Sequence, residues 1–225
     1  MSLQASWQKA CQYGLTLPNI LSYLSLKIMA NWGRFSGTLA LKLKAKLLGV
    51  SLGQDVTATG PIGLLRHPAG QISIGSHVSL ISTWRRATAA TIYAPTRLRV
   101  FGPKAAILIG DFCELSGTSI AARSTTISLG QGCLIGPNCV ITDSDFHSPW
   151  PCEDRSKEPG YERDSGVRLD DYVWVGMQTI ILKGVHIGRG AIIGAGSVVT
   201  HDIPAMTVAC GAPARIVANR GSEDL

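Results

Sequence analysis

Residues 169–210 read LDDYVW VGMQTI ILKGVH IGRGAI IGAGSV VTHDIP AMTVAC when divided every six residues. The blocks open on Leu169, Val175, Ile181, Ile187, Ile193, Val199 and Ala205. The second position is often glycine, as at Gly176, Gly188 and Gly194, and the fifth is small or β-branched, as at Val173, Thr179, Val185, Ala191 and Ser197. A period of six is not helical, because a face repeating every 3.6 residues would drift round the rod. Nor is it one amphipathic strand, whose alternation of two stops after a short run. A sustained hexad predicts a solenoid of short parallel strands, each ending at a corner. The aliphatic residue packs inward on its copy one coil away, and the small residue after it lets the backbone bend.

The stretch DDYVWVGMQTIILKGVHIGRGAIIGAGSVVTHDIPAMTVACGAPARIV resembles the hexapeptide-repeat acyltransferases, in particular the C-terminal half of the maltose, galactoside and capsular-polysaccharide O-acetyltransferases. The resemblance implies an all-β solenoid, a left-handed parallel β-helix with about 18 residues per coil. Leu169 then stacks on Ile187, Val175 on Ile193 and Ile181 on Val199. Left-handed crossovers depart from the usual rule for parallel strands, so the handedness comes from the resemblance and not from the spacing.

Upstream, weaker hexads extend the repeat over most of residues 70–216. Ile109, Leu115 and Ala121 mark one set of inward positions, and after a two-residue slip Leu129, Ile135 and Ile141 mark the next. Position 147 follows in that phase and is a histidine. There the repeat stops, and SPWPCEDRSKEPGYERDSG, residues 148–166, intervenes. Its prolines lack the N–H that a buried ladder needs. The segment is expected to be a loop extruded from one corner, and loops of this length inside compact repeats are usually functional. Domain limits follow: a basic helical segment at 1–50, the β-helix at 51–216 with its extruded loop, and a short C-terminal cap and tail at 217–225.

His147 sits where the coil meets the loop, in TDSDFHS. The resembling enzymes carry their general base just before such a loop, which assigns that role to His147. Imidazole titrates near physiological pH and can take a hydroxyl proton and return it. Asp145 and Trp174 are candidates for the acceptor site, and Asp143 is either a further polar contact or a solvated corner carboxylate. By the same resemblance, Gly176, Met177, Ala195, Thr200, His201 and Arg215 line the groove for acetyl-CoA, with Arg215 toward the phosphates. The related enzymes often have Ser at the position of Met177 and Lys at that of His201, so the coenzyme contacts differ there.

The chain has 225 residues and a net charge of +6. Residues 1–50 carry Lys9, Lys27, Arg34, Lys42, Lys44 and Lys46 and no acidic residue, so they hold the whole excess. TLPNILSYLSLKIMANWG predicts a helix starting near Pro18. FSGTLALKLKAKLLGV reads as helix through Phe35, Leu39, Leu43 and Leu47, or as strand through its alternating lysines; helix is favoured. Either segment covers the end of the solenoid or a neighbouring subunit, or lies on a membrane surface. Lys27 interrupts the apolar run, and no cleavable signal is legible.

No zinc pattern, RNP motif or basic recognition helix suggests nucleic acid. Cys113, Cys133 and Cys139 fall at the small fifth position of their hexads, and no CxxC pair occurs, so free thiols and a cytoplasmic location are expected, possibly at the inner face of the membrane. The resemblance implies a homotrimer acting on a saccharide acceptor without a metal. The alternatives are another acyl-CoA or an amine acceptor, a γ-carbonic-anhydrase-like metalloenzyme, or a non-catalytic scaffold. The metalloenzyme needs three converging histidines; His77, His147, His186 and His201 are present, but His186 and His201 fall in unlike phases and no matching cluster is legible.

Overall fold

A computed structural model describes residues 16–83 and 91–219; Lys9, the basic WRRATAA stretch and the end of the tail lie outside them. The chain after residue 50 winds as a left-handed β-helix whose strands stack into three sheets of six, eight and six strands among the described residues. Every strand pairing in the coils is parallel. The expected stacks are all present in the ladder: Leu169 on Ile187, Val175 on Ile193 and Ile181 on Val199. All six side chains are buried. Together with Ile107, Leu115, Ile127 and Ile141 they form one continuous core along the axis. Each such side chain contributes roughly 1.5–3 kcal/mol on burial.

The hexad spacing slips at two places. At the first, Ile120 and not Ala121 takes the inward slot, pairing with Ile141. The corner just before it turns at Gly117, with φ of +53°, and uses one residue fewer. At the second, Ile203 replaces Ala205 as the inward residue and bridges to Ile187. Ala205 is exposed because the chain turns at Ala205 and Met206, where Met206 takes φ of +56°, before entering the last strands. Those strands, Thr207–Gly211 and Ala214–Asn219, form an antiparallel hairpin. The first of them still pairs in parallel with Ile192–Ile193 of the coils, and the second runs past the expected limit at 216 to Asn219. An antiparallel ending closes the sheet with a strand that does not continue the coil, which blunts an edge that would otherwise template pairing with another chain.

The two N-terminal segments form one helix, α1 (Leu17–Leu48). Thr16 caps its start, Pro18 lies in its first turn, and Gly49 ends it with φ of +64°. The C-terminal half packs on the first coil through Leu41 and Ala45, both buried. Gly37 permits that approach, since a Cβ there would lie 2.7 Å from the carbonyl oxygen of Ala58. Thr38 Oγ1 donates to the same carbonyl and accepts from the Ala58 N–H. The half of α1 before Gly37 carries its large apolar side chains exposed. No described helix is long and apolar enough to cross a membrane.

Candidate active site

Three corners run the length of the prism, and the candidate residues occupy two of them. One corner follows the third sheet, after the strands Arg97–Val100, Ser119–Ala122, Val140–Thr142, Ile180–Ile181 and Val198–Val199. The loop at 148–166 leaves from this corner, and Lys183, Thr200 and His201 sit on it in the following coils.

Asp143 anchors the departure point. Its carboxylate is fully buried and accepts from the backbone N–H of Arg123, Ser124 and Thr125 and from Thr125 Oγ1, at 2.7–3.1 Å. It is a structural clasp between adjacent coils and not a solvated carboxylate. Phe146 then adopts φ of +65°, and the chain turns outward. His147 is exposed at that turn. Its Nδ1 lies 3.0 Å from the carbonyl oxygen of Arg155 in the loop. A carbonyl only accepts, so Nδ1 carries a proton, and in the neutral ring the lone pair is then on Nε2.

The loop is held by a pair that sequence patterns do not reveal. Arg123 and Asp164 have side chains 6% and 1% exposed and pair through Nε–Oδ2 at 2.9 Å and Nη2–Oδ1 at 2.5 Å. Arg123 also donates to the carbonyls of Pro159 and Gly160, and Ser124 Oγ donates to Asp164. Its guanidinium lies over the rings of Tyr161 and Phe146, 4.6 and 5.5 Å from their centroids. Burial is the largest influence on the Asp164 carboxyl and pushes its pKa up. Hydrogen bonds from Arg123, Ser124 and Ser144, with the charge of Arg123, outweigh it and leave the carboxyl below the usual range. Arg123 was hidden because it occupies an ordinary corner position, with its partner 41 residues away.

Asp145 is half exposed and forms an ion pair with Lys183, the corner residue of a later coil. It makes no contact with His147 there. Thr200 Oγ1 and His201 Nδ1 are 2.7 Å apart on the same corner. A cleft of about 430 Å³ opens beside the loop, lined by Phe101, Pro103, Lys104, Arg123, Ser124 and Tyr161. Phe101 meets Phe146, the neighbour of His147, edge to face at 5.9 Å.

Gly176, Met177 and Ala195 lie on a different corner, between the second and third sheets. Their coils stack so closely that a Cβ on Gly176 would sit 2.5 Å from the Ala195 nitrogen. Ala195 is exposed and small. Trp174 stands outward from the second sheet beside it, 54% exposed. Arg215 lies on the terminal hairpin opposite Cys210, which stacks on Gly194, and its guanidinium donates to the Ala214 carbonyl. One chain thus brings His147, Asp145, Thr200 and His201 to one corner and the remaining candidates to another. Among the described residues, no group of three or more His, Cys, Asp or Glu side chains is placed to hold a metal ion.

Residues 166–201 match the family described as bacterial transferase hexapeptide (six repeats). The repeat over these residues is thus that of the bacterial transferase hexapeptide family. Among hexapeptide-repeat relatives, galactoside O-acetyltransferase of Lactococcus lactis subsp. lactis (strain IL1403) is 38% identical over 92 residues, 41% of this chain and 42% of that protein. The putative lipopolysaccharide biosynthesis O-acetyl transferase WbbJ of Escherichia coli (strain K12) is 32% identical over 127 residues, 54% of this chain and 64% of that one. The chain thus spans about half the length of the curated relatives it matches. AntD, an N-acyltransferase from Bacillus cereus solved in complex with dTDP and 3-hydroxybutyryl-CoA, superposes with a TM-score of 0.55 at 16% identity, covering 81% of this chain and 89% of that one. That likeness concerns the hexapeptide-repeat fold.

Proposed function

We propose that this protein is an O-acetyltransferase that moves an acetyl group from acetyl-CoA to a saccharide hydroxyl, with His147 as general base. The observation that carries the reading is the exposed imidazole, held by its Nδ1–H on the Arg155 carbonyl so that Nε2 faces outward chemistry as an acceptor. Nε2 takes the proton of the acceptor hydroxyl as its oxygen attacks the thioester carbonyl. The tetrahedral intermediate collapses, the C–S bond breaks, and the imidazolium returns the proton to the leaving thiolate. Acetyl-CoA supplies the activated acyl group; Met177, Ala195 and Arg215 would hold its arm and phosphates. The named relatives are galactoside and polysaccharide O-acetyltransferases, which favours a hydroxyl acceptor over an amine. The cleft beside the loop suits a sugar, with Phe101 and Tyr161 for the ring and Lys104 for a polar group. We place the reaction in the cytoplasm, where acetyl-CoA is made. Incubating the purified protein with labelled acetyl-CoA and parallel panels of sugars and amino sugars is the test. Labelled ester with release of CoA is expected; label confined to amides would replace the hydroxyl reading, and no CoA binding would remove the transferase reading.

The division of candidates between two corners supports a homotrimer in which His147 of one copy faces the Met177 and Ala195 corner of the next. Coexpression tests it. His147→Ala and Ala195→Trp each block a different half-site, so each homotrimer is expected to be inactive. Mixed trimers are expected to regain activity, because some interfaces then join two intact halves. A mixture as inactive as its parents, with mixing verified by mass spectrometry, would place the whole site in one chain.

A further inference from the structure

Six exposed residues mark a stripe along α1: Leu21, Leu24, Ile28, Trp32, Phe35 and Leu39. Their spacing of three and four puts them on one side of a helix, over about 27 Å of its length. Each is 47–68% exposed. The stripe lies on the far side of α1 from Gly37, Leu41 and Ala45, which face the solenoid. Packing against the first coil therefore leaves it uncovered.

We infer that this stripe seats α1 flat on an anionic lipid surface. Charge selects that occupant. Lys27, Arg34, Lys42 and Lys46 are exposed on the same helix, and the sequence has no acidic residue before Asp55. A second copy of the stripe would set these cations beside their own copies with no carboxylate on the helix to pair them. Phosphate headgroups neutralise them instead, each cation near such a surface strengthening binding severalfold. Trp32, on the stripe, carries an amphipathic ring of the kind that favours the headgroup boundary. No described helix is long and apolar enough to cross a membrane, and the proposal lays α1 along the surface.

Vesicle sedimentation with the full-length protein tests this without reference to catalysis. The protein is expected to pellet with vesicles of phosphatidylcholine and phosphatidylglycerol, to stay in solution with phosphatidylcholine alone, and to bind more weakly as salt is raised. Ile28→Asp with Leu24→Asp, and separately Lys42→Glu with Lys46→Glu, which lie on the stripe's side of α1, alter exposed side chains and are expected to stay folded. Each is expected to weaken binding by at least about tenfold. Failure of the wild type to pellet with anionic vesicles overturns the proposal, as does equal binding by the variants. A lower oligomeric state of the aspartate variant by light scattering, with no vesicle binding by the wild type, would assign the stripe to a second copy instead.

Discussion

Replacing His147 by Ala is expected to lower acetyl transfer by about 10²–10⁴-fold, the usual range for losing a positioned general base. Folding and acetyl-CoA binding should change little. The ring is exposed, so its removal opens no cavity in the ladder of Leu129, Ile135 and Ile141. It gives up one hydrogen bond, to the Arg155 carbonyl, which water can replace. The proposed coenzyme residues, Met177 and Ala195, lie on another corner, so acetyl-CoA affinity should hold. A buried structural histidine would behave in the opposite way, lowering the melting temperature and reducing rate only through unfolding. Melting, coenzyme titration and turnover on one preparation separate the two. Near-normal turnover in a well-folded His147→Ala protein would defeat the mechanism. His147→Gln adds a control: it retains a hydrogen-bonding side chain without a titratable base, and should be as inactive as the alanine variant.

Asp164→Ala should be the most damaging change to the loop. It strands the guanidinium of Arg123, whose side chain is 6% exposed, and removing one partner of a buried pair costs about 3–5 kcal/mol. Much of that cost is expected to appear locally. The released segment is the one that bonds the Ser148 N–H through the Glu158 carbonyl and His147 through Arg155. Hydrogen exchange should therefore accelerate across residues 148–164 while the inward ladder stays protected. Turnover should fall with the loop, and the dissociation constant for acetyl-CoA should hold. Uniform loss of protection through the coils would instead make the pair a global stability element.

Acid should reproduce part of this effect in the wild type. The Asp164 carboxyl titrates below its unfolded value, so its contribution is complete above the ordinary carboxylate range, near about pH 4. It is lost as pH falls through the lower folded value. Loop exchange should rise on acidification there after correction for intrinsic rates. Asp164→Asn, which has no carboxyl to protonate, should lose that acid-dependent increment.

The repeat was legible because each coil offers the same environment to equivalent residues. An inward aliphatic side chain needs only its copy one coil away, so Leu169, Val175 and Ile181 predict Ile187, Ile193 and Val199 without knowledge of the rest of the chain. The same regularity located the interruption at His147 and explained Cys113, Cys133 and Cys139, whose thiols are buried and whose Sγ atoms lie against the backbone carbonyls of the next coil. It misplaced the inward residue at Ile120 and Ile203, where a corner shortens and no periodic signal marks the change.

What the sequence by itself determined was therefore the solenoid, the helical nature of α1 and the point where the coil opens. Only the tertiary structure decided how the loop is held. Asp143, read as a possible solvated carboxylate, is buried among three N–H groups of the preceding coil. Asp145 turns to Lys183, and Arg123 meets Asp164. These contacts join residues that no period relates, so charge, burial and loop closure select them together, and only the folded chain brings them within reach.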